Sequence, residues 1–150
     1  MKQSQLRVTY KEHILSQSLQ TPGESFNFLI KIWDKSLINI QEQTYMLFLN
    51  ATNQVISWRC INTGTGSKTL FDIKFAMACA LNCMASKVIL AHNHPSGILK
   101  PSSGDIEITQ KLNYAADLLD IKLVDHLIIT RKNYYSFSDS DLIKQPFRNQ

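Results

Sequence analysis

Apolar positions along the chain follow two periods, helical and alternating, and the two take turns. Phe26, Leu29, Ile30 and Trp33 recur at helical spacing behind Thr21-Pro22, and Glu24 lies three residues after the threonine, so a first helix is predicted to open there. A dense apolar run at 45–49, a turn-like stretch at 50–54 and an alternating run at 55–61 predict a β-hairpin, after which Gly64 and Gly66 break the sheet. Over 69–84, Leu70, Ile73, Met77, Ala80, Leu81 and Met84 keep three-and-four spacing, which predicts an amphipathic helix packed on that sheet. Residues 88–91 are apolar on both faces and begin with a β-branched residue, as a strand covered on both sides would. Beyond a loop at 95–104, Ile108, Leu112, Ala115 and Leu119 mark a second core helix, followed by strands at 123–129 and 134–137. A short edge strand is expected at 6–10.

This order predicts an α/β fold, a mixed β-sheet flanked by helices in a single domain. No internal repeat or low-complexity linker divides the chain, and 150 residues can bury a core without a metal or disulfides to hold it. Residues 1–32 read as an N-terminal strand and helix extending the same domain, and 33–150 as its main body.

Composition narrows the function classes. Apolar stretches stay far below the roughly 18–20 residues of a membrane span, and the N-terminal residues show no secretory h-region, so a cytoplasmic protein without membrane association is expected. Cys60, Cys79 and Cys83 are odd in number and lack a C-x-x-C pair, which argues against a disulfide framework and a thiolate zinc knuckle; buried packing thiols are expected. The net charge of +4 is carried by scattered basic residues, which favours a solvated surface over a nucleic-acid patch and leaves nucleic-acid association a weak expectation.

Candidate chemistry gathers where the buried strand ends. In Ala91-His92-Asn93-His94-Pro95-Ser96-Gly97, side-chain alternation puts His92 and His94 on one face. Past the loop, Ser102 precedes a helix and Asp105 stands in its first turn, so the loop can return a carboxylate to the two imidazoles. Each fragment has a structural reading of its own: a histidine pair is often incidental, and Ser102 with Asp105 makes an acceptable helix cap. The combination favours a metal, because a cap explains neither histidine and a buried strand is a poor place for unpartnered imidazoles. Two nitrogens and one carboxylate suit Zn²⁺ with a fourth position left for water.

The spacing His92-x-His94-x7-Ser102-x2-Asp105 resembles the signature of the JAMM (JAB/MPN) metalloprotease domains of RadC type. The resemblance extends from about Trp33 to Phe137 and includes 46–50, 88–97, Leu118-Leu119-Asp120-Ile121 and Val124-Asp125-His126-Leu127. It implies a JAB/MPN-like (cytidine deaminase-like) domain in which His92, His94 and Asp105 ligate Zn²⁺ and Ser102 hydrogen-bonds an oxyanion. It also implies an upstream glutamate that handles the catalytic water, and Glu42, just before the strand at 45–49, matches that position better than Glu24 or Glu107. The chain departs from the family where a Pro-Arg-Glu-like cluster usually opens the central helix, since Asp72-Ile73-Lys74-Phe75 stands there. The segment before Trp33 is also short for the DNA-associated helix-hairpin-helix region of the longer relatives.

The activity implied is zinc-dependent hydrolysis of an amide or isopeptide bond in a peptide or protein substrate. The alternatives are an inactive JAMM scaffold, a DNA-repair-associated binding protein, and a phosphodiesterase using the same ligands. His126, between Val124 and Ile128, reads as a satisfied core histidine, with the orientation of a metal ligand as the alternative. Asp125 points to the opposite face and has no assigned role.

Overall fold

The computed structural model describes residues 17–64 and 71–144, so the expected strand at 6–10 lies outside the described residues, as do Gly66 and Leu70. Helix α1 (Pro22–Ile32) opens at the predicted place. Thr21 caps it by accepting from the Glu24 amide, and the Glu24 carboxylate accepts from the Thr21 amide at 3.0 Å, so two otherwise orphaned donors are satisfied reciprocally. The hairpin follows as β1 (Gln43–Leu49) and β2 (Val55–Thr63), then α2 (Ile73–Asn82), β3 (Lys87–Asn93), α3 (Ser103–Leu118), β4 (Lys122–Ile129) and the short β5 (Tyr134–Ser136).

These strands form one mixed sheet in the order β2-β1-β3-β4-β5, with β3 and β4 parallel and the other pairs antiparallel. Parallel neighbours need a crossover, and α3 supplies it. Helix α1 covers one face, where Phe28, Leu29 and Trp33 pack with Leu47, Ile89 and Leu127. Helices α2 and α3 cover the other, where Met77, Ala80, Leu112 and Ala116 meet Met46, Phe48 and Leu90. Both layers bury β3, as its unbroken apolar run predicts, and leave its polar C-terminal end to find partners. Because Phe28 and Leu29 are wholly buried in the main core, α1 is part of the same folded unit as the body that follows it.

Two side-chain stripes end earlier than expected. Asp72 caps α2 by accepting from the Phe75 amide, and the helix stops at Asn82 because Met84 adopts a φ of 53°, turning the chain out of the helix. Met84 is therefore exposed instead of packed on the sheet, and Leu81, still within α2, is exposed as well. Leu119 is the C-cap of α3 and is likewise exposed. The three cysteines are free thiols packed against the core, as expected, but partly rather than wholly buried.

One irregularity decides the geometry of the site. Val88 pairs with Leu123 but Ile89 pairs with Asp125, so β4 carries an extra residue, Val124, in a bulge. Leu123 packs on the α2–α3 face and Leu127 on the α1 face, although strict alternation would put both on one side. The bulge thereby turns His126 toward α3 and gives the opposite face to Asp125. There Asp125 accepts from the Ser136 hydroxyl at 2.7 Å and the Ser138 amide at 2.9 Å, tying β5 to β4.

If α1 is integral to the core, Phe28→Ala lowers the unfolding free energy by about 3–5 kcal/mol in a single transition. Urea titration followed by both far-ultraviolet circular dichroism and tryptophan fluorescence checks this; a separate low-stability transition for α1 would contradict it.

Candidate metal centre

Strand β3 runs through the core and ends in His92 and Asn93, both buried, with His94 following directly. The chain then reverses in a turn closed by the Gly97 amide on the His94 carbonyl at 2.9 Å, with Pro95 and Ser96 at its centre. Gly97 has a φ of 79°, where a side chain would be strained. The reversal carries the Ile98 carbonyl back onto His94 Nδ1, 2.7 Å away. A carbonyl only accepts, so Nδ1 bears the hydrogen and a neutral His94 presents a bare Nε2.

Helix α3 brings the carboxylate. Ser102 is its N-cap and Asp105 occupies the third position, with both halves of a capping box present. Asp105 Oδ2 accepts from the Ser102 amide and from the Ser102 hydroxyl, each at 2.7 Å, so the cap and the aim of the carboxylate are one construction. The Ser102 hydroxyl hydrogen thus points at Asp105.

His92 Nε2 lies 2.9 Å from His94 Nε2 and 3.3 Å from Asp105 Oδ1, and His94 Nε2 lies 3.6 Å from Asp105 Oδ2. Four donors placed tetrahedrally at about 2.0–2.1 Å around a small cation are about 3.3–3.4 Å apart, so these spacings fit the three corners that the chain would supply. Among the described residues this is the group of histidine, cysteine and carboxylate side chains that could hold a metal ion. The crevice at the carboxyl ends of parallel strands β3 and β4, beside the start of the crossover helix, is also where α/β sheets place ligands.

Glu42 lies immediately before β1 and lines a cleft of about 620 Å³ together with Ile40, Gln41, Gly64, His94, Pro95 and Ser96. The other two glutamates weighed for its role are engaged elsewhere. Glu24 closes the α1 cap, and Glu107 pairs with Lys111 at 2.6 Å on the surface of α3. Asn93 holds the Glu42 segment in place: its amide group donates to the carbonyls of Ile38 and Gln41 at 2.7 and 2.9 Å, and its Oδ1 accepts from the Gln43 amide at 2.7 Å. The asparagine between the histidines therefore grips the backbone on both sides of Glu42, a role that sequence reasoning missed. Its one signal was a polar residue on the α1-facing side of a buried strand.

His126 does more than fill the core. Its Nε2 is 2.7 Å from His92 Nδ1, its Nδ1 is 2.6 Å from Thr109 Oγ1, and its ring stacks on Phe137 with centroids 4.4 Å apart. His126 is a satisfied core histidine, as preferred from the sequence, and its partners are His92 and Thr109, the latter not selected by sequence reasoning. Asp72 and Phe75, where the chain departs from the family pattern, serve the start of α2.

Electrostatics follow from this packing. Burial alone would raise the Asp105 pKa, but hydrogen bonds to His92 and His94, the charge of His92 and the Ser102 amide outweigh it and hold the carboxyl well below the usual carboxylate range. The Asp105 hydrogen bond raises His94 against the opposing effect of burial. Burial, aided by the charge of His92, holds His126 well below an ordinary histidine.

The RadC-like JAB domain profile matches residues 19–142. A UPF0758 protein of Flavobacterium johnsoniae is 44% identical over 101 residues, which make up 67% of this chain and 44% of the relative. One from Porphyromonas gingivalis is 43% identical over 69% of this chain and 46% of the relative, and one from Chlorobaculum parvum is 32% identical over 91% and 60%. The chain spans about half the length of the curated relatives it matches. Among the described residues no helix is long and apolar enough to cross a membrane.

The lowered His126 pKa has a defined consequence for the metal-free protein. Below about pH 6.5 the unfolded chain takes up a proton that the folded chain refuses, so stability falls as pH drops toward the folded pKa. His126→Phe removes that dependence. The stability difference between chelator-treated wild type and the variant, from urea midpoints, should therefore shrink on acidification from pH 8 to 5, with a slope approaching about 1.4 kcal/mol per pH unit. A difference that stays constant or widens contradicts the buried neutral imidazole.

Proposed function

On the premise that this chain belongs to the RadC-like JAB domain family, we propose that it is a zinc-dependent hydrolase of amide or isopeptide bonds in peptides or proteins. The observation that carries this reading is the convergence of His92 Nε2, His94 Nε2 and the Asp105 carboxylate beside the cleft lined by Glu42. Two imidazole nitrogens and one carboxylate are a donor set suited to zinc, and three protein ligands are the number a catalytic site uses.

A zinc ion held there would lower the pKa of water toward neutrality and polarise a carbonyl oxygen. The chain's own residues supply the remainder. Glu42, which lines the cleft, takes the proton as the water oxygen bonds to the amide carbon, and returns it to the amine nitrogen as the carbon–nitrogen bond breaks. Asn93 keeps that carboxylate in place by fixing the backbone around it. Ser102 is the proposed donor to the oxyanion; its hydrogen now goes to Asp105 Oδ2, so that contact is exchanged when substrate binds.

Zinc-loaded protein should cleave members of a panel of peptide and isopeptide substrates. Glu42→Gln should bind zinc as wild type does and lose about 10²–10⁴-fold in rate, the usual range for a general base. Ser102→Ala should lose both rate and about 1 kcal/mol of stability, because the residue also caps α3. Hydrolysis that Glu42→Gln leaves intact would overturn the assignment of the base. A zinc-loaded wild type inert toward the panel, with salt-sensitive DNA binding, would overturn the hydrolase reading in favour of a DNA-associated scaffold.

A further inference from the structure

The donors and acceptors behind His92 can be assigned one at a time, beginning at a backbone carbonyl. Thr109 Oγ1 lies 2.6 Å from the Asp105 carbonyl oxygen, which can only accept, so the single hydroxyl hydrogen of Thr109 goes there. Thr109 Oγ1 also lies 2.6 Å from His126 Nδ1, and the hydrogen in that contact must then come from the imidazole. His126 is 2% exposed and stacked on Phe137, a setting that keeps the ring neutral with one N–H. Its Nε2 is accordingly an acceptor. The 2.7 Å contact from that nitrogen to His92 Nδ1 takes its hydrogen from His92, and a neutral His92 is left with a bare Nε2 toward His94 and Asp105.

We propose that Thr109 and His126 are positioning residues that fix His92 as its Nδ1–H tautomer and so present Nε2 as a ligand. The relay joins three elements: the first two turns of α3, β4 and the end of β3. It starts and finishes on one residue, because the Asp105 carbonyl anchors it and the Asp105 carboxylate faces the nitrogen it exposes. The β4 bulge makes this closure, since an unbulged strand would turn His126 toward α1. His94 reaches the same tautomer through the Ile98 carbonyl alone, so the two histidines are set by independent means. The inference rests on the metal-site reading only for the purpose the bare nitrogen serves; the tautomer itself belongs to the metal-free chain.

Long-range ¹H–¹⁵N spectra of ¹⁵N-histidine-labelled protein read the tautomers directly, on chelated and on zinc-loaded samples. Wild type should show His92 and His126 as Nδ1–H tautomers in both. Thr109→Val keeps the shape of the side chain but removes the acceptor, so His126 and His92 should move into mixed tautomers and zinc should bind about 10–100-fold more weakly, the usual effect of losing such a partner. Thr109→Ser should restore both readings. Because it keeps the hydroxyl, it also separates loss of the relay from damage to the fold, which thermal unfolding monitors. His92 found as Nε2–H in chelated wild type would overturn the proposal, as would a Thr109→Val protein with unchanged tautomers and zinc affinity. Chelated wild type with both tautomers in place that takes up no zinc would support the relay and overturn the metal reading instead.

Discussion

A strand buried on both faces cannot run out into consecutive polar side chains unless each has a partner, and β3 ends in His92 and Asn93 with His94 directly after them. Much of the site's construction follows from meeting that demand. His92 looks toward α3 and is answered by His126 and Thr109. Asn93 looks toward α1 and is answered by the backbone of Ile38, Gln41 and Gln43. His94 leaves the sheet and is answered by the carbonyl of a turn four residues on. The outward nitrogens of the two histidines and the Asp105 carboxylate are left facing one another.

The same economy appears in the helix that closes the site. Residues Ser102 and Asp105 would be needed at the start of α3 even without any chemistry, because the first amides of a helix require acceptors. Placing that start beside the end of β3 aims the capping carboxylate at the imidazoles. Burial would raise the pKa of a lone carboxylate, but hydrogen bonds to His92 and His94 hold that of Asp105 down. Asn93 adds the link to the cleft, since the residue between the two histidines is also the clamp on either side of Glu42.

Much of this could be read from residues alone, where the determining interaction is local. The Thr21 and Ser102 caps, the hairpin and the buried strand depend on spacings of a few residues, and each stands where pattern predicts. His92, His94 and Asp105 were legible together because a turn and one helix cap bridge the twelve positions between the first and the last. The Asn93 clamp was not, because its partners are fifty or more positions away and are backbone atoms, which leave no mark on composition. The role of His126 was hidden by the bulge at Val124, an extra residue that reverses the side-chain alternation on which a face assignment depends. The exposure of Met84 was missed because a positive φ at a methionine, which ends α2 early, is not what apolar periodicity predicts.

Metal content tests the central claim most directly, that the acceptors at the end of β3 and the start of α3 are a site for a divalent ion. Elemental analysis should be made on protein purified without chelator or nickel resin, beside a folded His92→Ala, His94→Ala variant. The account predicts about one zinc per chain in the wild type and essentially none in the variant. A wild type that remains free of metal after reconstitution, or a variant that keeps its zinc, would contradict it.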